Sequence, residues 1–300
     1  MQVTQQNSTI VDFLNYIKFE KRYSLHTVIA YQTDLEQFFV YINAQYDSPT
    51  VQSINSMMIR SWLACLKGDE KLSAKSLNRK ISSLKTFFRH LLKNQIITQT
   101  PMSTVVAPKI SKRLPVFVQE NNLETLFNHV EFTNNWKGKT EQLVLQIFYH
   151  TGIRLSELIQ LKTVNIDFYY QHIKVLGKGN KERIIPISKE LLSDIKEYIS
   201  LKPEAIKQVP QLLVTEKGTA LQPRSVYAMV KKYLSMVTTV QKRSPHVLRH
   251  SFATHLMNSG ADLNAVKELL GHSSLAATQV YTHNTIEQLK DIFKKAHPKA

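Results

Sequence analysis

Cysteine is nearly absent from this 300-residue chain: Cys65 is the only one, so no internal disulfide can form. It falls on an apolar helical stripe with Met58 and Trp62, and we expect a small, buried side chain. Long apolar runs are also missing, since no stretch approaches the ~18 residues of a membrane span. The first basic residue is Lys18, whereas a signal peptide carries basic residues near its start. We therefore expect a cytoplasmic protein that is not attached to a membrane.

Acidic residues are in short supply. Lys and Arg number 39 against 23 for Asp and Glu, which gives a formal charge of +16. Such an excess favours a polyanionic partner, because each neutralised phosphate releases counterions. Nucleic acid is the first expectation; charge that only maintains solubility is the alternative, and an anionic membrane surface is less favoured. With 43% hydrophobic residues, the chain has enough apolar side chains for one large core or two ordinary ones.

Apolar residues recur at helical spacing in four segments of the first hundred residues, at 10–17, 31–42, 58–66 and 77–91. We predict a four-helix unit whose fourth helix begins near Ser76. The opposite face of that helix carries the predicted DNA-binding residues, which are Lys75, Arg79, Ser82 and Thr86. Short and cationic side chains of this kind suit phosphates and base edges in a major groove, although a plain solvated face explains them equally well.

The periodicity stops between 98 and 115, where prolines alternate with basic residues. They are Pro101, Pro108, Lys109, Lys112, Arg113 and Pro115. We predict a helical domain at 1–98, an extended basic linker at 99–115 and a second domain at 116–300.

The second domain mixes helices with a small sheet. Period-two alternation at 164–168, 172–176 and 182–187 predicts three strands, the last two joined by the turn 177–181. Helices are expected at 143–150, ended by Gly152, at 155–161, and again from near Ser188, Pro223, Pro245 and Asp262. We expect Ser244 and Asp262 to be N-caps and Gly271 to end a helix. The fold class is therefore mainly α with a small three-stranded antiparallel sheet.

The segment S-P-H-V-L-R-H would place His246 and Arg249 on one face of a helix that begins at Pro245. His246 and His250 also have the spacing of a zinc-binding H-E-x-x-H pair. Val247 stands where that motif needs its glutamate, and Arg249 would repel a divalent cation. We therefore predict no metal.

Other candidates are spread along the chain. Arg154 lies in T-G-I-R-L-S-E-L, Lys178 at the hairpin tip, and His272 directly after Gly271; Tyr281 follows nine residues later. Each has an ordinary explanation taken singly: a surface arginine paired with its helical neighbour, a solvated turn lysine, a satisfied histidine and a packed aromatic. Only the complete set, with His246 and Arg249, favours catalysis.

The ordered motifs T-G-x-R-x-S-E-L, G-K-G-x-K-x-R, H-x-L-R-H-S-F-A-T and L-G-H with a tyrosine nine residues later resemble the tyrosine site-specific recombinase (phage integrase) family. The segment S-L-H-T-V-I-A-Y-Q-T-D-L resembles the core-binding domain of its Xer-type subgroup, so the likeness covers almost the whole chain. It implies a two-domain, C-shaped clamp made of a helical, SAM-like core-binding domain and a catalytic domain.

The resemblance implies DNA strand cleavage and rejoining without metal or any other cofactor. The expected catalytic residues are Arg154, Lys178, His246, Arg249, His272 and Tyr281. Tyr281 would attack the phosphate and leave a 3′-phosphotyrosyl link, which stores the bond energy.

The expected partners are double-stranded DNA with paired half-sites and further protomers, since the family acts as four protomers through a Holliday junction. The favoured role is chromosome dimer resolution, in which a second related recombinase and a DNA translocase would be further partners. An apolar stripe at 286–293 is either core or, as we favour, a tail that packs into a neighbouring protomer. The alternatives are a mobile-element integrase, a DNA invertase, a type IB topoisomerase and a DNA-binding module without catalysis. The G-K-G-N-K-E-R hairpin and the Xer-like N-terminal half argue against the topoisomerase, and the six intact site residues argue against the module without catalysis.

Overall fold

The computed structural model describes residues 2–68, 71–110, 116–177 and 181–271. It divides the chain into two units, Met1–Arg113 and Leu114–Ala300, each with its own hydrophobic core. The predicted tail stripe and part of the predicted linker, 111–115, lie outside the described residues.

The first unit contains four α-helices in its described part: α1 (Gln2–Asn15), α2 (Leu25–Gln45), α3 (Ser56–Gly68) and α4 (Ala74–Lys93). A short π-helical segment, Tyr16–Glu20, continues α1. Ser24 and Ser73 begin α2 and α4 as N-caps, and each hydroxyl accepts the backbone N–H of the third residue of its helix.

Aromatic rings fill the core of this unit. Phe38 contacts Trp62 edge to face with centroids 5.1 Å apart, and Phe13 meets Phe87 in the same way at 5.3 Å. The predicted four-helix unit is confirmed. Cys65 is partly exposed rather than buried, so that expectation was wrong: the buried side chains of α3 are Ile59, Trp62 and Leu66.

The first half of the predicted linker packs onto this unit. Met102 and Val105 are buried in its core, although no helix or strand holds them. Arg60 Nη2 donates to the Thr104 carbonyl at 3.0 Å, and Asn78 Nδ2 donates to the Pro108 carbonyl at the same distance. Two buried apolar side chains therefore fix a segment that composition alone marks as extended.

The described part of the second unit contains seven α-helices and one sheet. The helices are α5 (Glu120–Asn128), α6 (Trp136–Thr151), α7 (Leu155–Gln160), α8 (Lys189–Ser200), α9 (Pro223–Val237), α10 (Pro245–Asn258) and α11 (Leu263–Leu270). The strands β1 (Ile166–Asp167), β2 (His172–Leu176) and β3 (Glu182–Pro186) pair antiparallel in that order. Helix α6, whose second half is mostly buried, packs against α8 and α10.

Most predicted boundaries of this unit are confirmed. Gly152 and Gly271 end α6 and α11 in the left-handed conformation, and the Asp262 carboxylate accepts two N–H groups at the start of α11. Ser244 is the N-cap residue of α10 without a side-chain cap bond. Strand β1 is shorter than predicted because only two residues pair with β2, and α5 was not predicted. No described helix is long and apolar enough to cross a membrane.

Candidate active site

Arg154 is presented by a turn that requires a glycine. Helix α6 ends at Gly152, where φ is +58° and an added Cβ would lie 2.5 Å from Phe252 Cδ1. The chain turns there and Arg154 becomes the N-cap residue of α7. Glu157, in the first turn of α7, accepts both the backbone N–H of Arg154 and its Nη1, each at 2.8 Å. The Arg154 side chain remains 31% exposed, so its guanidinium is held in place yet accessible.

Arg249, a residue of α10, lies against the turn at Gly152 and is buried, with 5% exposure. Its Nη1 donates to the Gly152 carbonyl and its Nη2 to the Leu270 carbonyl. Burial, together with the charges of Arg154 and Arg183, lowers the pKa of Arg249 to about 9. The guanidinium is therefore still protonated at neutral pH.

His246 lies on the same helix, three residues before Arg249, and its side chain is exposed. Helix α10 thus presents a histidine to solvent beside a buried guanidinium. The pKa of His250 is lowered by burial and by the nearby His246, which favours a neutral ring. Within the described ranges no group of three His, Cys, Asp or Glu side chains is arranged to hold a metal ion.

Glu157 also binds Arg183, a residue of β3. Both side chains are 4% exposed, and Arg183 donates through Nη1 and Nη2 to the two carboxylate oxygens at 2.7 and 2.8 Å. Burial alone would raise the pKa of Glu157, but the hydrogen bonds and charge of Arg183, with further bonds from Arg154, lower it to about 2. The carboxylate is therefore ionised throughout the physiological range.

Three successive carbonyls at the end of α11 accept from three different arginines. Leu269 O accepts from Arg183 Nε at 2.8 Å, Leu270 O from Arg249 Nη2, and Gly271 O from Arg154 Nη2 at 2.7 Å; the arginines come from β3, α10 and the turn before α7. Guanidiniums suit this place because the last carbonyls of a helix have no helical partner and carry partial negative charge.

These three arginines and Glu157 form a cluster with a formal charge of +2, which we call the arginine cluster. Two charges of one sign held together in a partly buried setting attract an anion, and planar guanidiniums can bind two oxygens of a phosphate at once. The other predicted catalytic residues, Lys178, His272 and Tyr281, lie outside the described residues. The hairpin that carries Lys178 is described up to Gly177 and from Lys181, whose carbonyl accepts the Gly177 N–H at 2.7 Å.

Comparison with known proteins shows to which family the chain belongs. The model of the phage integrase family matches residues 116–288, and the model of the phage integrase N-terminal SAM-like domain matches 10–95. The chain belongs to the phage integrase family of tyrosine recombinases.

Relatives cover nearly the whole chain. "Tyrosine recombinase XerC" of Chlorobaculum parvum is 35% identical over 96% of this chain and 94% of the relative. The protein of the same name from Listeria welshimeri is 37% identical over 99% of this chain and all of the relative. These relatives agree with the Xer-type resemblance of the N-terminal half.

Solved structures agree with the fold. The XerH site-specific recombinase bound to a palindromic difH substrate is 25% identical, with a TM-score of 0.69, and covers 89% of this chain and 79% of that one. The Tn1549 transposon integrase in complex with circular intermediate DNA has the same TM-score at 19% identity, over 93% and 98% of the chains. The mainly helical fold with a small antiparallel sheet is therefore that of a tyrosine recombinase.

Arg154, His246 and Arg249 were predicted to be catalytic and stay predictions, whereas no role was predicted for Arg183. The signal was present: the alternation in β3 puts Arg183 on the face of Ile185, which is buried. A charged residue at an inward position of a strand indicates a buried partner, here Glu157. Glu157 was considered only as a local partner of Arg154, which it is, whereas its bonds to a distant strand require the tertiary structure.

In the first unit, the four residues predicted to bind DNA follow one side of α4, three exposed and Thr86 half-buried. Ser82 and Thr86 donate their hydroxyls to carbonyls one turn earlier, at 2.8 and 2.9 Å, so they remain able to accept. Arg79 pairs with Asp34 of α2, which is fully buried and also accepts from Lys80 and Ser83. Asp34 was not predicted, and it anchors this side of α4 to α2.

Proposed function

We propose that the chain is a site-specific DNA recombinase that cuts and rejoins DNA strands through a phosphotyrosyl link on Tyr281. The observation that carries the proposal is the arginine cluster, which places an accessible Arg154 beside a buried Arg249 with net positive charge. The cluster belongs to a tyrosine recombinase fold, and its relatives carry the name Tyrosine recombinase XerC.

Arg154 and Arg249 bind the nonbridging oxygens of the scissile phosphate, and His272 donates a further hydrogen bond. Attack on phosphorus adds negative charge to these oxygens, and positioned donors stabilise that charge most where it develops. Loss of either arginine is expected to cost about 3 to 4 kcal/mol of transition-state stabilisation, or about 10²- to 10³-fold in rate.

Tyr281 is the nucleophile. A phenol with an ordinary pKa of about 10 attacks poorly at neutral pH, so its proton passes to a base as the O–P bond forms, and His246 is the proposed acceptor. The bond from phosphorus to the 5′ oxygen breaks, and Lys178 gives that oxygen a proton. The products are a 3′-phosphotyrosyl enzyme and a free 5′ hydroxyl, and the number of phosphoester bonds is unchanged.

A 5′ hydroxyl from a second duplex then reverses the step and joins the exchanged strand. Two rounds of exchange pass through a Holliday junction, which requires four protomers on two DNA sites. We further propose that Lys75, Arg79, Ser82 and Thr86 contact the duplex through the first unit. The cellular role that fits the XerC relatives is the resolution of chromosome dimers at cell division, with a second recombinase and a DNA translocase as partners.

A nicked suicide duplex tests the chemistry. Because the target sequence is unknown, the duplex is first selected by the protein from a randomised pool, and a nick is then placed beside each candidate cleavage point. Cleavage releases a short fragment that diffuses away, so wild type should accumulate a covalent protein–DNA adduct and Tyr281→Phe should form none. Equal adduct from both proteins would show that Tyr281 is not the nucleophile.

The cellular role is tested separately. Genomic DNA that the purified protein protects should map near the replication terminus, and deletion of the gene should leave chromosome dimers that fail to separate. Protection confined to the ends of a mobile element would instead indicate an integrase.

A further inference from the structure

We infer that Arg183 is a positioning residue for strand cleavage: by neutralising Glu157 it leaves the charge of Arg154 available for the scissile phosphate. The inference rests on the proposed function, since that proposal makes Arg154 a phosphate ligand. Arg183 donates through Nε, Nη1 and Nη2 within the protein, and its charge is paired with Glu157, whereas Arg249 donates to carbonyls and forms no ion pair with a described carboxylate. Arg183 therefore acts through Glu157 rather than on DNA.

Arg154 and Arg183 share one carboxylate. Oε1 of Glu157 accepts Nη1 of Arg154 at 2.8 Å and Nη1 of Arg183 at 2.7 Å. Oε2 accepts the backbone N–H of Arg154 and Nη2 of Arg183, both at 2.8 Å. Arg183 therefore forms the two-pronged ion pair, whereas the Arg154 guanidinium binds through one nitrogen and directs Nη2 to the Gly271 carbonyl at 2.7 Å.

The charge balance shows what would change without Arg183. Three arginines and one carboxylate give +2, and removal of Arg183 leaves +1 against a phosphate that gains charge as it is attacked. Glu157 would then be a buried anion that has lost its two-pronged partner and keeps only Arg154 beside it. Because a poorly compensated buried charge is strongly destabilising, the carboxylate would attract Arg154 more strongly. Arg154 would turn toward the carboxylate and away from the phosphate.

The backbone around Arg183 fixes its position. It lies opposite Val175 in the β2–β3 pairing, on the inward face of the strand. Its Nε donates to Leu269 O at 2.8 Å, and an added Cβ at Gly271 would come within 3.1 Å of its Cδ. Arg183 thus cannot move away from Glu157 without breaking its contact with the end of α11.

Single-turnover cleavage of the selected nicked duplex, at saturating DNA, tests the inference with three variants: Arg183→Met, Arg183→Lys and Arg183→Met/Glu157→Gln. Arg183→Met should lower the rate constant by about 10²-fold, comparable to the loss of one anion-binding donor. Arg183→Lys keeps the charge and should stay within about tenfold of wild type, since it loses the two-pronged geometry and the bond to Leu269 O but still neutralises Glu157. The double variant removes the cation and its anion together and should recover at least about tenfold over Arg183→Met.

The rate constant separates positioning from a purely structural role. A variant that only misfolds loses adduct amplitude because fewer molecules are active, while the active ones cleave at the normal rate. The proposal expects the opposite: nearly full amplitude, a slow rate and a Kd for the duplex within about threefold of wild type. A double variant no faster than Arg183→Met would overturn it, as would loss of amplitude at an unchanged rate.

If Arg183→Met does not fold, the double variant is compared with Glu157→Gln instead, because the double variant lacks the unpaired buried anion. The proposal then expects these two to cleave within about tenfold of one another, and a difference of about 10²-fold would contradict it.

Lys139 and Glu197 supply the matched control, as an exposed pair in the same unit with Nζ and Oε1 3.5 Å apart. Lys139→Met and Lys139→Met/Glu197→Gln should cleave like wild type. Wild type and Tyr281→Phe are run in parallel: no adduct from wild type would refute the proposed function, whereas adduct from wild type with an equal rate from Arg183→Met would refute only the inference.

Discussion

Glu157 is a buried carboxyl whose pKa is lowered to about 2 from an ordinary value of 4.5. A group of this kind stabilises the folded state above its unfolded pKa and loses that contribution as the pH falls through its folded pKa. The contribution of Glu157 is therefore complete above pH 4.5 and is lost between about pH 4.5 and 2. At 1.36 kcal/mol per pKa unit, it amounts to about 3 kcal/mol.

Glu157→Gln should lower the free energy of unfolding by at least this amount at pH 7, and the difference from wild type should shrink below pH 4.5. Urea unfolding at pH 7, 5, 4 and 3 measures it. The two tryptophans, Trp62 and Trp136, lie in different units, so Trp136 fluorescence in a Trp62→Phe background reports on the second unit alone. Glu197→Gln, in an exposed pair, should cost less than about 1 kcal/mol at pH 7. A Glu157→Gln difference that stays constant down to pH 3 would contradict the pKa.

Residue types led to the predicted catalytic residues. Arg154 and Arg249 were predicted because two guanidiniums at fixed motif positions suit a phosphate; the structure brings both to the end of α11, and their catalytic roles stay predictions. Arg183 and Asp34 were not assigned roles, because their partners are 26 residues away for Arg183 with Glu157 and 46 for Asp34 with Lys80. Such pairings depend on which elements pack together, which local pattern does not determine.

At the scale of elements, the ends of α6 and α11, which support the arginine cluster, depend on glycine. A series of Gly→Ala variants separates the cost of the left-handed backbone from the cost of overpacking. Gly152 has a φ of +58° and no room for a Cβ. Gly260 has a φ of +88°, but nothing lies within 4 Å of an added Cβ. Gly68, at the end of α3, has the same open space and an ordinary φ. Gly260→Ala should cost about 1 kcal/mol for the left-handed conformation alone. Gly152→Ala should cost a further 1 to 3 kcal/mol, roughly, from overpacking.

Gly68→Ala is the control and should be neutral or slightly stabilising, because alanine favours a helix. Urea unfolding at pH 7 measures all three free energies. If Gly152→Ala and Gly260→Ala lowered the free energy of unfolding equally, the side chain of Phe252 would move aside at no measurable cost. That result would contradict the tight packing expected at the end of α6.

Helix ends and strands of the second unit were predictable because local chemistry decides them. Gly152 and Gly271 adopt the left-handed conformation that a residue without a Cβ allows, the Asp262 carboxylate caps α11, and β2 spans the predicted residues. The burial of Met102 and Val105 was not predicted, because the prolines and basic residues around them indicate an extended chain, whereas these two apolar side chains hold the segment against the first unit. Tertiary packing decides such irregular segments.

At the scale of the whole molecule, the formal charge of +16 predicts how DNA binding responds to salt. Each phosphate neutralised contributes about −0.9 to the slope of log K against log salt, so 6 to 10 contacts would reduce affinity by roughly 10³- to 10⁵-fold between 50 and 200 mM salt. Fluorescence anisotropy with the selected duplex, titrated across this range, measures the slope. A slope near zero would contradict phosphate neutralisation and, with it, the proposed mode of binding.

Two residues of α4 sharpen that prediction because their local charges differ. Lys75 is exposed, whereas the guanidinium of Arg79 already pairs with the buried Asp34. Lys75→Gln should reduce the size of the slope by about 1, as expected for one lost phosphate contact. Arg79→Gln should reduce it by less, since part of its charge is already offset within the protein, and Lys207→Gln, which removes a cation paired with Glu204 at 3.0 Å, is the control with an unchanged slope. A larger change for Arg79→Gln than for Lys75→Gln would mean that DNA draws Arg79 away from Asp34, and the anchor between α2 and α4 would then open on binding.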